Sequence, residues 1–306
     1  MSISAIVVSY WTGDVLAECL AALFAEPLVS EVVLVDNGNS RETQKWLTEL
    51  ARQQPQLVLL TPQRNIGFSA GSNYGAWHAQ GEFVAFINPD LIILPGSLDR
   101  MVEELDRDKD VWLCGARLLN PDGSEQRGGR REFLSPWRSF VELTRLDRLF
   151  PGHPYFRRLH QHEGEAAAEP IDVPTVSGAL MMMRRSVFRQ LGGFDDHMFM
   201  HAEDADICIR VSQKGGRVRY CGNAPVLHFL STSDAAKCFV NWHKTRSANY
   251  FFHKHFLETY PPWALSVMAF LLWCRFGVLF LRDAPSDIAW IIGRLRRLSA
   301  AGRSNA

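Results

Sequence analysis

Two acidic stretches in this chain carry residue types able to do chemistry at a ligand. The first is the INPD turn at 87–90, and the second is HAEDADICIR at 201–210. A carboxylate such as Asp90, following an apolar β-type run, can complete the coordination of Mg²⁺ or Mn²⁺ beside a diphosphate, with Asn88 as a neutral ligand or water-orienting group. The same letters also describe an ordinary turn. Glu203, Asp204 and Asp206 crowd like charges at a helix start. Crowding with desolvation raises a carboxyl's proton affinity and suits it to take a proton from an attacking hydroxyl; the alternative is a plain acidic helix N-terminus. Asp206 and Arg210 stand four apart and read as a structural pair. His228, after the apolar run APVL, suits a metal ligand, a phosphate hydrogen bond or a satisfied core histidine.

Two further segments suit a nucleotide. Asp36 opens DNGNS, where a carboxylate can accept the N3–H of a pyrimidine or simply form an Asx turn. In RNIGFSAGSNYG, Arg64 can meet an anion, and Asn65, Gly67, Gly71, Asn73 and Gly75 either let backbone approach a ligand's phosphates or fit a helix closely to a sheet. There is no GxGxxG, HExxH, close Cys/His array or GxSxG, which argues against a dinucleotide fingerprint, a zinc site and a serine elbow.

The elements that must position these residues follow from periodicity. Residues 4–10, 31–35, 56–60 and 82–87 read as β-strands, with helices at 13–24 and 70–78 between them. This alternation implies an α/β fold with a mostly parallel sheet, and a ligand crevice beyond the strands' carboxyl ends. Residues 127–174 read as an insertion or flexible loop over the pocket mouth, basic in its first half. A strand over 176–183, helices over 185–191 and 204–214, and short strands at 218–220 and 224–228 complete the first part. A helix at 235–255 then leads to an apolar stretch at 263–281 and a basic end.

Lys+Arg and Asp+Glu both number 33 among 306 residues, so no overall charge favours nucleic acid. The six cysteines form no CxxC pair and read as buried thiols of a reducing compartment. The first residues read as a strand, not a signal peptide. The 263–281 segment has three readings, as core helix, membrane-surface helix or span. Tryptophans and the following GRLRRL favour the surface.

Taken in order, IVVSYW, VDNGNS, RNIGFSAGSNYG, FINPD, VSGALMMMRRSVFRQLGGFDDHMFMHAEDADICIR and VLHFLSTS resemble the family 2 inverting glycosyltransferases of GT-A fold, in their bacterial rhamnosyltransferase-like branch. The resemblance covers roughly residues 3–250. It implies a GT-A domain at 1–258 and an apolar, basic helical segment at 259–306. It implies that Ser9 and Asp36 contact the base region, that Asn65 and Asn73 line the diphosphate side, and that Asp90 is the metal-motif carboxylate. Asp204 then matches the catalytic base with Glu203 beside it, and His228 the late histidine near the metal. FINPD departs from a strict DxD. The implied donor is dTDP-L-rhamnose foremost, with another dTDP- or UDP-sugar as the alternative, and the implied acceptor a lipid-linked or polysaccharide glycan such as O-antigen or capsule. Such an acceptor places the protein in the cytoplasm, peripheral on the inner membrane. A nucleotidyltransferase would need a stronger Gly/Arg/Lys phosphate signature near the first strand, and a non-catalytic nucleotide-sugar-binding protein would bind donor without turnover.

Overall fold

The computed structural model describes residues 1–150, 153–156, 159, 168–230 and 234–304, with side chains described as far as 293. The chain forms two compact units, Met1–Asp234 and Ala235–Ala306.

The first unit opens with the alternation its sequence implies. It runs β1 (Ile3–Ser9), α1 (Val15–Phe24), β2 (Val29–Asp36), α2 (Arg41–Gln53), β3 (Leu57–Leu60), α3 (Phe68–His78), β4 (Phe83–Ile87) and β5 (Leu91–Ile93). Next come α4 (Ser97–Arg107), β6 (Val111–Leu119), β7 (Arg130–Arg131), α5 (Pro136–Thr144), α6 (Leu146–Leu149), β8 (Ile171–Asp172) and β9 (Thr175–Val176). The unit closes with β10 (Leu180–Arg184), α7 (Arg185–Leu191), α8 (Glu203–Gln213) and β11 (Arg217–His228).

The main sheet has the order β3-β2-β1-β4-β10-β6-β11-β5, with β8 also on β11. It is parallel from β3 to β4. Beyond β4 it is mixed, because β10 runs antiparallel to both β4 and β6 while β6 and β11 are parallel. Both faces are covered, which is why strands such as β1 are buried along their whole length and lack polar alternation. On one face Ile3, Ala5 and Val7 meet Leu16 and Leu20 of α1 and Leu98 and Met101 of α4. On the other, Ile6, Val84 and Phe86 meet Ala76 of α3, Phe188 of α7 and Ile207 of α8.

Three expectations change. The strand expected over 176–183 is two, β9 and β10, broken at Ser177–Ala179. The two short strands expected near 218–228 are one, β11, whose register slips between Cys221 and Pro225. The insertion at 127–174 is anchored at its start, where β7 pairs with β9. Four of its arginines are spent on internal ion pairs: Arg127 with Glu142, Arg130 with Glu125, Arg131 with Asp204 and Arg138 with Glu132. Arg157, Arg158 and most of the acidic, alanine-rich stretch after them lie outside the described residues. The cysteines are all free, and Cys19, Cys114, Cys208 and Cys221 are buried, whereas Cys274 is exposed.

The second unit holds α9 (Lys237–Phe256) and α10 (Pro262–Ser304). Helix α9 falls in the same compact unit as α10. Asp287 accepts from the backbone N–H groups of Lys237 (2.9 Å) and Cys238 (2.7 Å), the otherwise unsatisfied first donors of α9. Asp283 accepts from Asn241 at 3.2 Å. Both aspartates are buried; burial raises the Asp287 carboxyl, but hydrogen bonds from the Cys238 thiol and from the Cys238 and Lys237 N–H groups outweigh it and leave the group below the usual range.

Candidate active site

Strand ends β1, β2 and β4 and the end of β11 bring the polar residues of the first unit together, and each local turn has a definable cause. Asp36 ends β2. Its Oδ1 accepts from Gly38 N–H (3.1 Å), Asn39 N–H (2.9 Å) and Asn39 Nδ2 (2.9 Å), so the Asx turn is real. Its Oδ2 is buried with no partner, leaving one acceptor for a ligand donor. Ser9 is wholly buried, and its hydroxyl is within bonding distance of Thr12 Oγ1 (3.1 Å) and Asn39 (3.0 Å from Nδ2), so it braces this turn.

The RNIGFSAGSNYG segment takes the close-packing alternative. A Cβ on Gly71 would lie 3.0 Å from Val8, and one on Gly75 2.7 Å from Ile6. The start of α3 does not face open space: Phe68 N–H donates to Phe199 O at 2.7 Å, and Ser69 Oγ donates to Met198 O at 2.5 Å. Asn65 accepts from Gly67 N–H and Asn37 Nδ2, both at 2.9 Å, and shapes the turn. Asn73, expected on the diphosphate side, clamps the backbone of Phe194 through both ends of its amide, each bond 2.8 Å. Arg64 is exposed.

Asp90 sits in a turn closed by Leu91 N–H to Asn88 O (3.3 Å). The register of β5 on β11, His228 opposite Leu91, then sets the histidine beside the carboxylate. His228 Nε2 lies 3.2 Å from Asp90 Oδ1 and 3.5 Å from Asn88 Nδ2, with histidine and aspartate both buried. On the other side of the ring, Gln126 Oε1 lies 2.6 Å from Nδ1. This nitrogen and carboxylate oxygen, converging in one buried place, form a donor set that divalent cations accept. A second trio, half-buried Asp195 with exposed Asp196 and His197, also groups ligand atoms within 4.8 Å, but the Asp195 carboxyl already accepts from His197 N–H at 3.1 Å.

The second acidic site is built on α8. The residues leading into it, His201 and Ala202, both take left-handed backbone (φ 63° and 70°), a costly conformation for side-chain-bearing residues that turns the chain sharply before Glu203. Asp204 is held on all sides. Its Oδ2 accepts from Arg131 and from Gly178 N–H (3.0 Å), and its Oδ1 from Ala205 N–H (2.7 Å). Burial would raise its carboxyl, but Arg131 and Gly178 outweigh that and hold it below the ordinary range. Glu203 goes the other way: burial, then the charge of Asp204, push it up to about 8, and its Oε2 is buried without a partner. Crowding thus raises Glu203, not the Asp204 expected to serve as base. Asp206 pairs with Arg210 at 2.7 Å, and Arg210 also donates to Leu191 O and Gly193 O, which confirms a structural pair.

The two acidic sites are linked by one short segment. Ala179 O accepts from Asn88 N–H at 2.8 Å, and the adjoining Gly178 donates to Asp204. A Cβ at Gly178 would stand 3.2 Å from Asp204 Cβ and 3.6 Å from Glu203 Oε1. Gln126, Arg131, Asn39 and Gly178 were not singled out from the sequence. Asn39 lay in the DNGNS motif and was legible there, but the others act through partners distant in the chain.

Residues 4–192 match glycosyl transferase family 2. The chain belongs to that family. A second match, to glycosyl transferase family 21, covers residues 157–283. Among curated relatives, the O-antigen biosynthesis protein RfbC of Myxococcus xanthus is 31% identical over 67% of this chain, which spans only 15% of RfbC. The N-acetylglucosaminyl-diphospho-decaprenol L-rhamnosyltransferase of Mycobacterium tuberculosis is 28% identical, covering 78% of this chain and 81% of the relative. Among solved structures, the mannosyltransferase PcManGT from Pyrobaculum calidifontis, in complex with GDP-Man and Mn²⁺, superposes with a TM-score of 0.56 at 17% identity over 99% of this chain and 80% of its own. GalNAc-T7 gives 0.58 over 81% of this chain and 47% of its own, at 15% identity. The fold is that of GT-A-like nucleotide-sugar transferases.

Proposed function

We propose that this glycosyltransferase moves a sugar from a nucleoside-diphosphate donor to an acceptor hydroxyl in one inverting displacement. The observation that carries the reading is the pairing of Asp90 with His228 at the strand ends, joined through Gly178–Ala179 to the buried Glu203–Asp204 pair. Asp36 offers its free Oδ2 to the donor's base, and exposed Arg64 is available to an anionic group. Asp90 and His228 would hold Mg²⁺ or Mn²⁺, whose chemistry when bound is to neutralise charge gathering on the departing diphosphate.

The acceptor oxygen bonds to the anomeric carbon as the bond from that carbon to the diphosphate oxygen breaks, and the hydroxyl proton passes to the acid pair. Glu203 is the member able to receive it, because one of its oxygens is unpartnered while those of Asp204 are committed. Arg131 keeps Asp204 ionised, and that fixed negative charge raises the proton affinity of its neighbour.

For the donor, the rhamnosyltransferase relatives from M. tuberculosis and Escherichia coli, the latter named WbbL and 21% identical over 83% of this chain, support rhamnose as the sugar, which we take to be carried on dTDP. The decaprenol in the M. tuberculosis relative's name supports a lipid-linked acceptor, which would be met at a membrane surface. The test is a panel of dTDP-, UDP- and GDP-sugars with Mg²⁺, Mn²⁺ or EDTA and a lipid extract as acceptor, scored by released nucleoside diphosphate and by transferred sugar. Turnover selective for dTDP-rhamnose is expected. Turnover with a UDP-sugar instead would replace the donor, release of inorganic diphosphate would replace the reaction class, and tight donor binding without turnover would leave a binding protein.

A further inference from the structure

We propose that Gln126 is a positioning residue that fixes the ring of His228 with its proton on Nδ1, so that the bare Nε2 faces Asp90 as a ready ligand for a divalent cation. The proposal rests on reading Asp90 and His228 as a cation site. Gln126 is buried, 3% exposed, in the turn that follows β6. Its backbone N–H donates to Leu118 O at 2.8 Å, so its main chain is fixed to the end of that strand.

The amide cannot be turned over without loss. Its Nε2 donates to Asn120 Oδ1 at 3.0 Å and to the backbone carbonyl of His228 at 3.2 Å, two acceptors with no proton to give. Its Oε1 must therefore face His228 Nδ1, 2.6 Å away, and an oxygen there requires Nδ1 to carry the proton. In a neutral ring the other nitrogen then presents a lone pair, 3.2 Å from the carboxylate oxygen of Asp90. A divalent cation could lie against both, and a second partner on the far nitrogen is the usual means of aiming a ligating imidazole. Gln126 touches His228 at both its ring and its own carbonyl, so it sets the rotation of the ring as well as its tautomer.

The test uses the full chain with Gln126→Leu, which removes both bonds, Gln126→Glu, which keeps an acceptor against Nδ1–H, and Asp90→Asn. Two quantities are read: Mn²⁺ binding in the presence of dTDP or UDP by calorimetry, and the ¹⁵N shifts of His228, assigned by their loss in His228→Asn. The expected results are an Nδ1–H tautomer in the wild type, Mn²⁺ affinity lowered by about 10- to 100-fold in Gln126→Leu, and near-normal affinity in Gln126→Glu. A purely structural role would lower the stability of Gln126→Leu and Gln126→Glu alike without this rescue. An Nε2–H tautomer in the wild type overturns the proposal. So does Mn²⁺ affinity unchanged in Gln126→Leu while Asp90→Asn loses it, an outcome that leaves the cation site standing. Absence of Mn²⁺ binding by the wild type overturns the cation site itself, and this inference with it.

Discussion

At residues 203 and 204 two adjacent carboxyls sit in opposite electrostatic states, and the difference is measurable. Glu203 is raised to about 8 by burial and by Asp204, while Asp204 is lowered by Arg131 and Gly178 despite its burial. A base works when deprotonated, so transfer by way of Glu203 rises as pH climbs toward 8. A base already ionised across the neutral range, as Asp204 is, gives no such rise. We expect Glu203→Gln to lose at least about 100-fold in kcat with donor affinity kept. Asp204→Asn removes the charge that raises Glu203, and should therefore move the rise to lower pH; a flat profile, or complete loss in Asp204→Asn with Glu203→Gln active, would return the base role to Asp204. Stability gives an independent reading. The folded protein holds a proton on Glu203 that the unfolded chain releases near pH 4.5, so folding stability falls as pH rises from there toward 8. Glu203→Gln abolishes that dependence, and its melting temperature should gain on the wild type between pH 5 and pH 8. Of this arrangement the acidic pair was legible in HAEDADICIR, but its asymmetry was not. Arg131 is one arginine among eight between 127 and 158, and its partner is 73 residues away. Gln126, 102 residues from His228, carries no local signal at all.

At the scale of elements, the glycines of 67–75 seat α3 against the sheet and against the segment before α8. Gly67 has φ +87°, and a Cβ there would lie 2.5 Å from the backbone oxygen of Phe199, which itself accepts from Phe68 N–H. Gly67→Ala must therefore both strain the backbone and push away the chain that leads to Glu203. We expect it to destabilise the first unit by more than about 1 kcal/mol, measured by urea unfolding; a change below a few tenths would mean that the 198–199 segment yields freely. The first four strands were readable because apolar β-branched runs alternate with helix-like stretches. What could not be read was the direction of the sheet beyond β4: β10 enters antiparallel between β4 and β6, and an apolar run such as LMMMR has the same appearance in either direction. The break at Ser177–Ala179 was hidden for a related reason. It is imposed by Gly178 and Ala179 bonding to Asp204 and Asn88, partners that no window along the chain contains.

At the scale of the molecule, the second unit has to be reconciled with water. Residues Pro262–Gly293 of α10 are long and apolar enough to cross a membrane by length and composition; their most apolar 18-residue window has a mean hydropathy of 2.1, yet only 11% of it is buried. Trp263, Phe270, Val278 and Leu281 are each about 70% exposed (67–77%). Exposed apolar surface on this scale marks a contact with lipid or another protein. Asp283 and Asp287 are committed to α9, which orients one side of α10 inward and leaves these side chains outward. We expect the full chain to sediment with vesicles containing anionic lipid, and the double substitution Phe270→Asp, Leu281→Asp to abolish sedimentation. Donor binding should be unchanged, because the residues proposed to hold the donor all belong to the first unit. If the wild type stays in solution with vesicles and light scattering shows a dimer that the double variant dissociates, the apolar face is covered by a second copy and the membrane reading fails. The choice matters for catalysis, since a lipid-linked acceptor offers its hydroxyl only at a bilayer surface, and a transferase held there searches two dimensions for it.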